Sequence, residues 1–396
     1  MTSKPHYIAL DGLRGIAALI VICYHVFEGF ATSPATQTIN HGYLAVDFFF
    51  LLSGFVTAYA YDGRWTQMNI KTFFLRRLIR LHPMIIAGAV LGLTTFLLQG
   101  SEQWDHTGVP LSHVALAFLL SMLLLPTFPG TAAEVRGNGE MFPLNGPTWS
   151  LFFEYMGNIL YAVLLRRLSI GALFIITCLL GFALAYVCIA NGQLGVGWTV
   201  ADGGLWWGMI RMSFSYSLGM LAARSYRPQK MKIPFWVGAV ALILCCAMPY
   251  AGINGAAYLN GLYDGYCVIL IFPTILILCA GNMEQKGSTP RLCRLMGDLS
   301  YPLYAIHYPF MYLFFAYVWN NSLTFAQSWH WAAVVVLGSI VLAIILHYGY
   351  ERPVRKFLSA HLDIQSSQFS QSFRNNLNNQ SNQNTPTTPK KDSFKE

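Results

Sequence analysis

The sequence predicts an all-α, polytopic membrane protein with about ten transmembrane helices and one short re-entrant or interfacial helix. Asp, Glu, Lys and Arg make up only 11% of its 396 residues, whereas soluble globular proteins carry about a quarter. Hydrophobic residues make up 55% of the chain, and the mean hydropathy is +0.46. Because so few charges cannot cover a water-facing surface of this size, the expected solvent is a lipid bilayer.

Windows of about 17 to 25 residues, the length of a membrane span, give eleven apolar segments. They cover residues 9–29, 42–61, 83–99, 112–128, 148–165, 170–190, 205–223, 233–250, 264–281, 300–319 and 329–350. The first segment is expected to stay in the mature protein. Asp11 and Arg14 interrupt it, and no small-residue cleavage site follows.

Basic residues lie in short clusters between the apolar segments, as the positive-inside rule expects of cytoplasmic loops. This placement makes nucleic acid an improbable partner despite the formal net charge of +8. If both termini and the basic loops are cytoplasmic, the number of crossings between residues 82 and 166 must be even. Segment 112–128, closed by Pro126 and Pro129, is therefore predicted not to cross. The alternative is that Arg166 and Arg167 lie outside as an exception to the rule.

The chain divides into a membrane domain, residues 1–360, and a polar tail, residues 361–396. The tail is rich in Gln, Asn, Ser and Thr, so it is predicted to be disordered and cytoplasmic. Seven of the eight cysteines fall inside apolar segments, and the eighth, Cys293, lies in a basic loop. A disulfide framework is therefore not expected.

Ionisable residues inside a span are costly and indicate a partner or a function. Arg14 and His25 in the first segment are eleven residues apart, which is three helical turns plus about 20°. They share one helix face and lie about 16 Å apart along the axis. The alternative is that Arg14 reaches the membrane interface and His25 only links two helices.

The second segment places Asp47 near the opposite membrane face, at a depth similar to that of His25. Gly54 follows one heptad later on the same side and permits close contact with another helix.

The fifth segment aligns Ser150, Glu154, Asn158 and Tyr161 on one face, which favours a lined cavity over a single structural hydrogen bond. Arg211, in the seventh segment, is placed to neutralise either Glu154 or Asp47.

Two further groups lie towards the predicted inner surface. His307, between Pro302 and Pro309, is expected on a kinked helix and nearer to Arg14 than to His25. Arg77 and Arg80 are neighbours on a helix end, where they either set topology or bind phosphates through their guanidinium groups.

The chain resembles the acyltransferase 3 family of membrane-bound O-acyltransferases over nearly all of residues 5–358. The motifs that carry the resemblance are LDGLRGIAALIVICYH, FFLLSGF, the RLIR pair, PTWSLFFE and SYPLYAIHYPF, in that order. One departure is that Tyr155 follows Glu154, whereas a second glutamate is common there in the family.

This resemblance implies transfer of an acyl group, acetyl being the commonest, from cytoplasmic acyl-CoA to a hydroxyl of an extracytoplasmic polysaccharide or lipid-linked sugar. His25 would act as general base, or alternatively as an acyl-carrying nucleophile, since the pKa of histidine is near neutral. Glu154 or Asp47 would orient its imidazole. The donor phosphates would be bound by Arg14, Arg77 and Arg80, and the residues expected to line the cavity are Ser53, Ser150, Asn158, Arg211 and His307.

No metal site and no tightly bound cofactor are expected, so the partners are the acyl-CoA donor, the sugar acceptor and the lipid bilayer. The expected location is the inner membrane. A proton-coupled secondary transporter is the main alternative, because buried histidine, arginine and carboxylates also suit a proton relay. A sensory or interaction protein is a third possibility, but it would not need Arg14 and His25 on one face.

Overall fold

A computed structural model describes residues 6–226, 232–251, 256–281 and 287–362, and this part of the chain is helical. Within these ranges the only β pairing is two isolated bridges. The helices are α1 (Ile8–Glu28), α2 (Ala45–Tyr61), α3 (Ile70–Leu98), α4 (Leu111–Met122), α5 (Thr148–Val163), α6 (Ile170–Asn191), α7 (Gly204–Ser225), α8 (Phe235–Ala247), α9 (Tyr258–Tyr266), α10 (Phe272–Ala280), α11 (Ser288–Ile306), α12 (Tyr308–Asn320) and α13 (Phe325–Leu346). The all-α prediction is confirmed for these ranges, and the predicted tail lies outside them from residue 363 onwards.

Six helical segments of the described chain are long and apolar enough to cross a membrane. They are Ile8–Glu28, Gly42–Arg64, Ile70–Leu98, Ile170–Asn191, Tyr258–Ala280 and Phe325–Leu362. Helix α7, with 22 residues, is about 33 Å long, but polar residues such as Arg211 lower its hydropathy. The apolar helices agree with a polytopic membrane protein, while the total of about ten spans stays a prediction.

Helix α4 occupies the segment that was predicted not to cross. Its 12 residues correspond to about 18 Å, which is well short of the 30 Å or so of a bilayer core. After the helix, Thr127 donates its backbone N–H to the carbonyl of Met141 at 2.8 Å. This length suits a re-entrant or interfacial helix, and its position in the membrane stays a prediction.

Two helices begin earlier than the apolar windows indicated. Helix α3 begins at Ile70, where the Asn69 side chain accepts the Thr72 N–H at 2.8 Å. Arg77 and Arg80 therefore lie within α3 and not at its end. Helix α11 begins at Ser288 and not near residue 300. Both early turns are amphipathic, so their charged residues lower the mean hydropathy of any window that includes them.

The predicted kink near His307 is present, and it is a break between two helices. Helix α11 ends at Ile306 and α12 begins at Tyr308. Pro302 lies inside α11, whereas Pro309 lies in the first turn of α12, where its missing N–H removes no helical hydrogen bond. The break places the His307 side chain at the junction of the two helices.

Helix α2 packs most extensively against α7. A Cβ atom at Gly54 would collide with the backbone carbonyl of Tyr216, and one at Gly219 would collide with the carbonyl of Leu51. Only glycine lets the two backbones approach this closely. The predicted role of Gly54 in close helix contact is confirmed.

Helix α1 makes a similarly close contact with α11. A Cβ atom at Gly15 would lie 2.5 Å from the Met296 side chain, and one at Gly297 would lie 2.5 Å from the Cβ of Asp11. This packing fixes the position of α1, which carries both Arg14 and His25.

Candidate active site

His25 is held by a carboxylate from its own helix. Its Nδ1 lies 2.7 Å from Oε2 of Glu28, one turn further along α1. Because an ionised carboxylate only accepts hydrogen bonds, Nδ1 carries the proton and Nε2 keeps a free lone pair. The side chains of His25 and Glu28 are 15% and 39% exposed, so both are accessible in the otherwise buried helix face. Nε2 is thus the nitrogen that can accept a proton.

The predicted orienting carboxylates of His25 were wrong. Asp47 pairs with Arg211, and Glu154 pairs with Arg77. Glu28 takes their place because it lies within one helical turn of His25, which brings the two side chains together without help from any other helix.

His307 stacks on His25, with ring centroids 5.6 Å apart and planes inclined by 29°. Its Nδ1 lies 2.9 Å from the carbonyl of Tyr304 and 3.2 Å from that of Leu303, so Nδ1 is the donor. Its Nε2 is buried and has no hydrogen-bond partner among the described residues. The expectation that His307 lies nearer to Arg14 was wrong. Because α11 begins twelve residues earlier than predicted, His307 lies at the end of this helix and not near its start. It is therefore level with His25 and not with Arg14.

His25 lines a cavity of about 410 Å³. Tyr24, Glu28 and Tyr308 surround the imidazole, and the ring of Tyr308 meets that of His25 edge to face at 4.6 Å. The other walls come from helices α5, α7, α11 and α12 and from the loops before α4, α5 and α7. They include Trp104, Glu140, Trp149, Trp198, Arg211, Tyr304, Tyr312 and Trp319. A largely aromatic cavity with a few polar groups is the usual form of a small-molecule site.

Arg211 and Asp47 form a fully buried ion pair beside this cavity. Nη2 of Arg211 lies 2.6 Å from Oδ2 of Asp47, and Nε lies 3.2 Å from Oδ1. Arg211 also donates to the carbonyl of Val196. The sequence left open whether Arg211 neutralises Asp47 or Glu154, and the structure shows that its partner is Asp47. Arg211 lines the cavity as predicted, but its positive charge is neutralised by Asp47.

Glu154 belongs to a second polar cluster. Its Oε1 accepts hydrogen bonds from Nη2 of Arg77 and from Oγ of Ser53, each at 3.1 Å. The Asn158 amide donates to the backbone carbonyl of Glu154 at 2.8 Å. Ser53, Glu154 and Asn158 are not among the described residues that line the cavity around His25. These three residues therefore belong to a polar cluster separate from that cavity.

Ser150 was predicted to line the cavity and instead supports one of its walls. Its hydroxyl lies 2.6 Å from that of Tyr304 and donates to the carbonyl of Pro147 at 3.0 Å. Tyr304 is itself a lining residue. Ser150 therefore acts on the site through Tyr304.

The predicted phosphate-binding arginines differ in how far they are already paired. Arg14 donates to Oγ of Ser300 at 2.8 Å and to the carbonyl of Gly297 at 2.5 Å. Arg77 is buried against Glu154, so it is less available to a phosphate than expected. Arg80 is close enough to Arg14 and Arg77 for their charges to act on it. The three cations therefore form one basic region, some 16 Å of α1 away from His25.

Three residues of the site were not predicted from the sequence. The sequence could have predicted the contact between Glu28 and His25, because the i, i+3 spacing makes two side chains neighbours on a helix. No sequence pattern predicts Tyr308 or Glu140 in the site, because they reach the cavity only through the packing of α12 and of the loop before α5. Among the described residues, no group of three or more His, Cys, Asp or Glu side chains is arranged to hold a metal ion.

Comparison with known proteins gives one family match and several relatives. The family described as "Acyltransferase domain", acyltransferase 3, matches residues 7–348. Acyltransferase MdmB of Streptomyces mycarofaciens is 26% identical over 387 residues, covering 88% of this chain and 92% of that protein. Protein 2 in the picA locus of Rhizobium radiobacter is 37% identical over 172 residues, covering 41% of this chain and 85% of that protein.

A third relative is longer than this chain. The proposed O-acetyltransferase SAR0937 of Staphylococcus aureus is 23% identical over 393 residues, which cover 92% of this chain and 60% of that protein. No solved structure matches this chain significantly.

Proposed function

The chain belongs to the acyltransferase 3 family, and we propose that this membrane O-acyltransferase uses His25 to transfer an acyl group from acyl-CoA to a sugar hydroxyl. The donor is expected to be cytoplasmic acetyl-CoA. The acceptor is expected to be an extracytoplasmic polysaccharide or lipid-linked sugar. We expect the enzyme in the inner membrane, with both termini in the cytoplasm because the basic loops follow the positive-inside rule.

The arrangement of His25 is the observation that carries the proposal. The imidazole lines a cavity, its Nδ1–H is held by Glu28, and its Nε2 has a free lone pair. A carboxylate that fixes the tautomer and balances the charge is what a histidine base requires. The proton-coupled transporter has no comparable support, because the family match favours acyl transfer.

The reaction needs one proton to be moved and then returned. Nε2 of His25 takes the proton from the acceptor hydroxyl as its oxygen attacks the thioester carbonyl. The C–S bond then breaks, and the same proton passes from His25 to the leaving thiolate, so the imidazole ends neutral as it began. Glu28 stabilises the imidazolium in between. The stacked His307 donates its Nδ1–H to backbone carbonyls, so its Nδ1 takes no part in this transfer.

Replacing His25 with Ala tests this function. We expect acyl transfer to fall at least about 100-fold, the usual contribution of a general base, while the protein still accumulates in the membrane. The measurement is mass analysis of surface glycans from cells that carry either form, together with release of free CoA thiol by purified protein supplied with both acetyl-CoA and the acceptor glycan.

His330→Ala is the matched control, because His330 is an exposed histidine of α13. It should leave the acylated glycans unchanged. A His25→Ala protein that still acylates glycans would remove His25 from the mechanism. A wild-type protein that releases no thiol from acetyl-CoA would remove acetyl-CoA as the donor.

A further inference from the structure

A second carboxylate, Glu140, lines the same cavity. Glu140 lies on the loop before α5 and is 8% exposed. An isolated bridge to Thr199 and the hydrogen bond from Met141 N to the Trp198 carbonyl, 3.0 Å, fix this part of the loop. The hydroxyl of Tyr312 donates to Oε2 of Glu140. The carboxylate is therefore held in one place at the cavity wall, with no role in the proposed proton transfer.

Arg136, the cation whose charge acts on Glu140, packs against the ring of Tyr312. The guanidinium carbon of Arg136 lies 3.5 Å from the ring centroid of Tyr312. Its Nε donates to the carbonyl of Pro143 at 2.7 Å, and its Nη1 donates to Gln99 at 3.0 Å. Within the described chain, Arg136 forms no ion pair with Glu140 and does not line the cavity. A ligand in the cavity therefore meets the carboxylate before it meets the cation.

The charges that line the cavity are unbalanced towards the negative. Among the described lining residues, the ionisable acids and bases besides tyrosines are His25, Glu28, Glu140 and Arg211. Arg211 is neutralised by Asp47, and a proton on His25 would be balanced by Glu28. While His25 is neutral, as at the start of the proposed transfer, Glu28 and Glu140 are both left as negative charges that a bound molecule would face. A negative group on that molecule would be repelled, whereas a neutral hydroxyl would donate a strong hydrogen bond to the carboxylate.

We propose that Glu140 determines the acceptor specificity of this enzyme, by accepting hydrogen bonds from hydroxyl groups of a neutral sugar and by excluding sugars that carry a carboxylate or phosphate near the reacting hydroxyl. This inference rests on the proposed acyl transfer. The tryptophans that line the same cavity supply flat apolar surfaces, and Glu140 supplies the polar contact that fixes orientation.

The exclusion of negatively charged sugars by Glu140 should depend on pH. Burial raises the pKa of the Glu140 carboxyl to about 7. The groups that face it are Tyr308 and Tyr312 of α12, Arg136 and Asn138 of its own loop, and Glu28 of α1. Repulsion of an anionic sugar is present while Glu140 is ionised, above about pH 7, and is lost as the pH falls through that value.

Ligand binding to purified protein in detergent tests the proposal. The probes are p-nitrophenyl glucoside and p-nitrophenyl glucuronide, which differ by one carboxylate, and the signal is quenching of tryptophan fluorescence. All proteins in this test carry His25→Ala together with Glu28→Gln, so that neither member of this pair contributes a charge or a titration. At pH 8 the glucoside should bind at least about tenfold more tightly. At pH 5.5 the affinities for the two sugars should differ by about threefold or less. The same small difference is expected for Glu140→Gln at either pH.

Two further variants keep the result interpretable. Tyr312→Phe removes a hydrogen bond that lowers the pKa of the Glu140 carboxyl. A larger fraction of Glu140 is then neutral at pH 8, so the affinity difference between the two sugars should also narrow, and a poorly folded Glu140→Gln protein does not end the test. Glu102→Gln removes an equal charge from a partly exposed acid outside this cavity and should leave the difference unchanged. Three outcomes would overturn the proposal. They are equal binding of both sugars at pH 8 to the protein with Glu140 intact, no binding of either sugar, and an affinity difference that persists in both cavity variants.

A transfer assay separates this inference from the proposed function. If the protein with His25 intact transfers acetyl groups to both sugars equally, the enzyme is an acyltransferase and the specificity role of Glu140 is wrong. If it transfers to neither sugar but the Glu140-dependent binding difference is present, the sugar subsite stands and the proposed transfer is wrong.

Discussion

His25 and Glu28 form a pair that a single helix can build alone. The two side chains are three residues apart on α1 and meet at 2.7 Å. The pair therefore does not depend on the register of any neighbouring helix. What the neighbours add is the environment: His307 stacks on one face of the imidazole, and Tyr308 meets it edge to face.

Arg14 offers the clearest test of the donor site at the scale of one residue. Arg14→Ala should weaken acetyl-CoA binding about tenfold, because one charge-assisted guanidinium–phosphate contact is removed. The measurement is acetyl-CoA affinity by calorimetry on purified protein. Arg64→Ala, which removes an exposed arginine after α2, is the control and should bind as the wild type does. Unchanged affinity in Arg14→Ala would exclude the phosphate role.

Arg77 is less suited to that experiment. Its guanidinium is buried and paired with Glu154 at 3.1 Å. Replacing Arg77 with Ala leaves Glu154 without its ion-pair partner, so a loss of donor binding could not be separated from a loss of stability.

At the scale of helices, the contact between α2 and α7 positions the buried pair of Asp47 and Arg211. Both residues are fully buried, and breaking such a pair by removing one partner costs about 3–5 kcal/mol. The pair forms only if the two backbones approach closely. Gly54, seven residues after Asp47 on the same face, and Gly219 allow that approach.

Gly54→Ala should therefore lower the stability of the protein by about 1–3 kcal/mol, the usual cost of overpacking. The added methyl group would meet the backbone carbonyl of Tyr216, which cannot rotate away as a side chain can. The measurement is thermal stability in detergent, followed by size-exclusion chromatography of the heated protein.

Gly338→Ala in α13 is the matched control for this change. A Cβ at Gly338 would meet nothing within 4 Å, so the change should be neutral or slightly stabilising, because alanine is the better helix former. If Gly54→Ala is as stable as Gly338→Ala, the helix contact is looser than the structure indicates.

For the whole molecule, the main expectation is the orientation across the membrane. Ten crossings with both termini inside place residue 138, between α4 and α5, on the extracytoplasmic side. Asn138→Cys should react with a membrane-impermeant maleimide in intact cells, because Asn138 is exposed and lines the cavity mouth. Gln67→Cys, an exposed position between α2 and α3, should react only after the cells are opened.

The unsubstituted protein gives the background signal of the eight native cysteines. Labelling of residue 138 only in opened cells would contradict the even number of crossings between residues 82 and 166.

The sequence predicted most helices but misplaced several ends. The apolar segments correspond to α1, α2, α6 and α13 within a few residues, because hydropathy reports residues that face lipid or a buried core. The starts of α3 and α11 were missed, since their first turns carry charged residues. The break at His307 was anticipated from Pro302 and Pro309, whose effects on a helix are local.

The sequence by itself determined the membrane setting, the family, and the candidates Arg14 and His25, because composition, motif and helical spacing are properties of the chain alone. Only the tertiary structure decided which charges meet: His25 with Glu28, Asp47 with Arg211, and Glu154 with Arg77. Helical periodicity fixes the face and the height of a side chain on its own helix. It does not fix which other helix lies opposite that face, and packing between helices supplies that information.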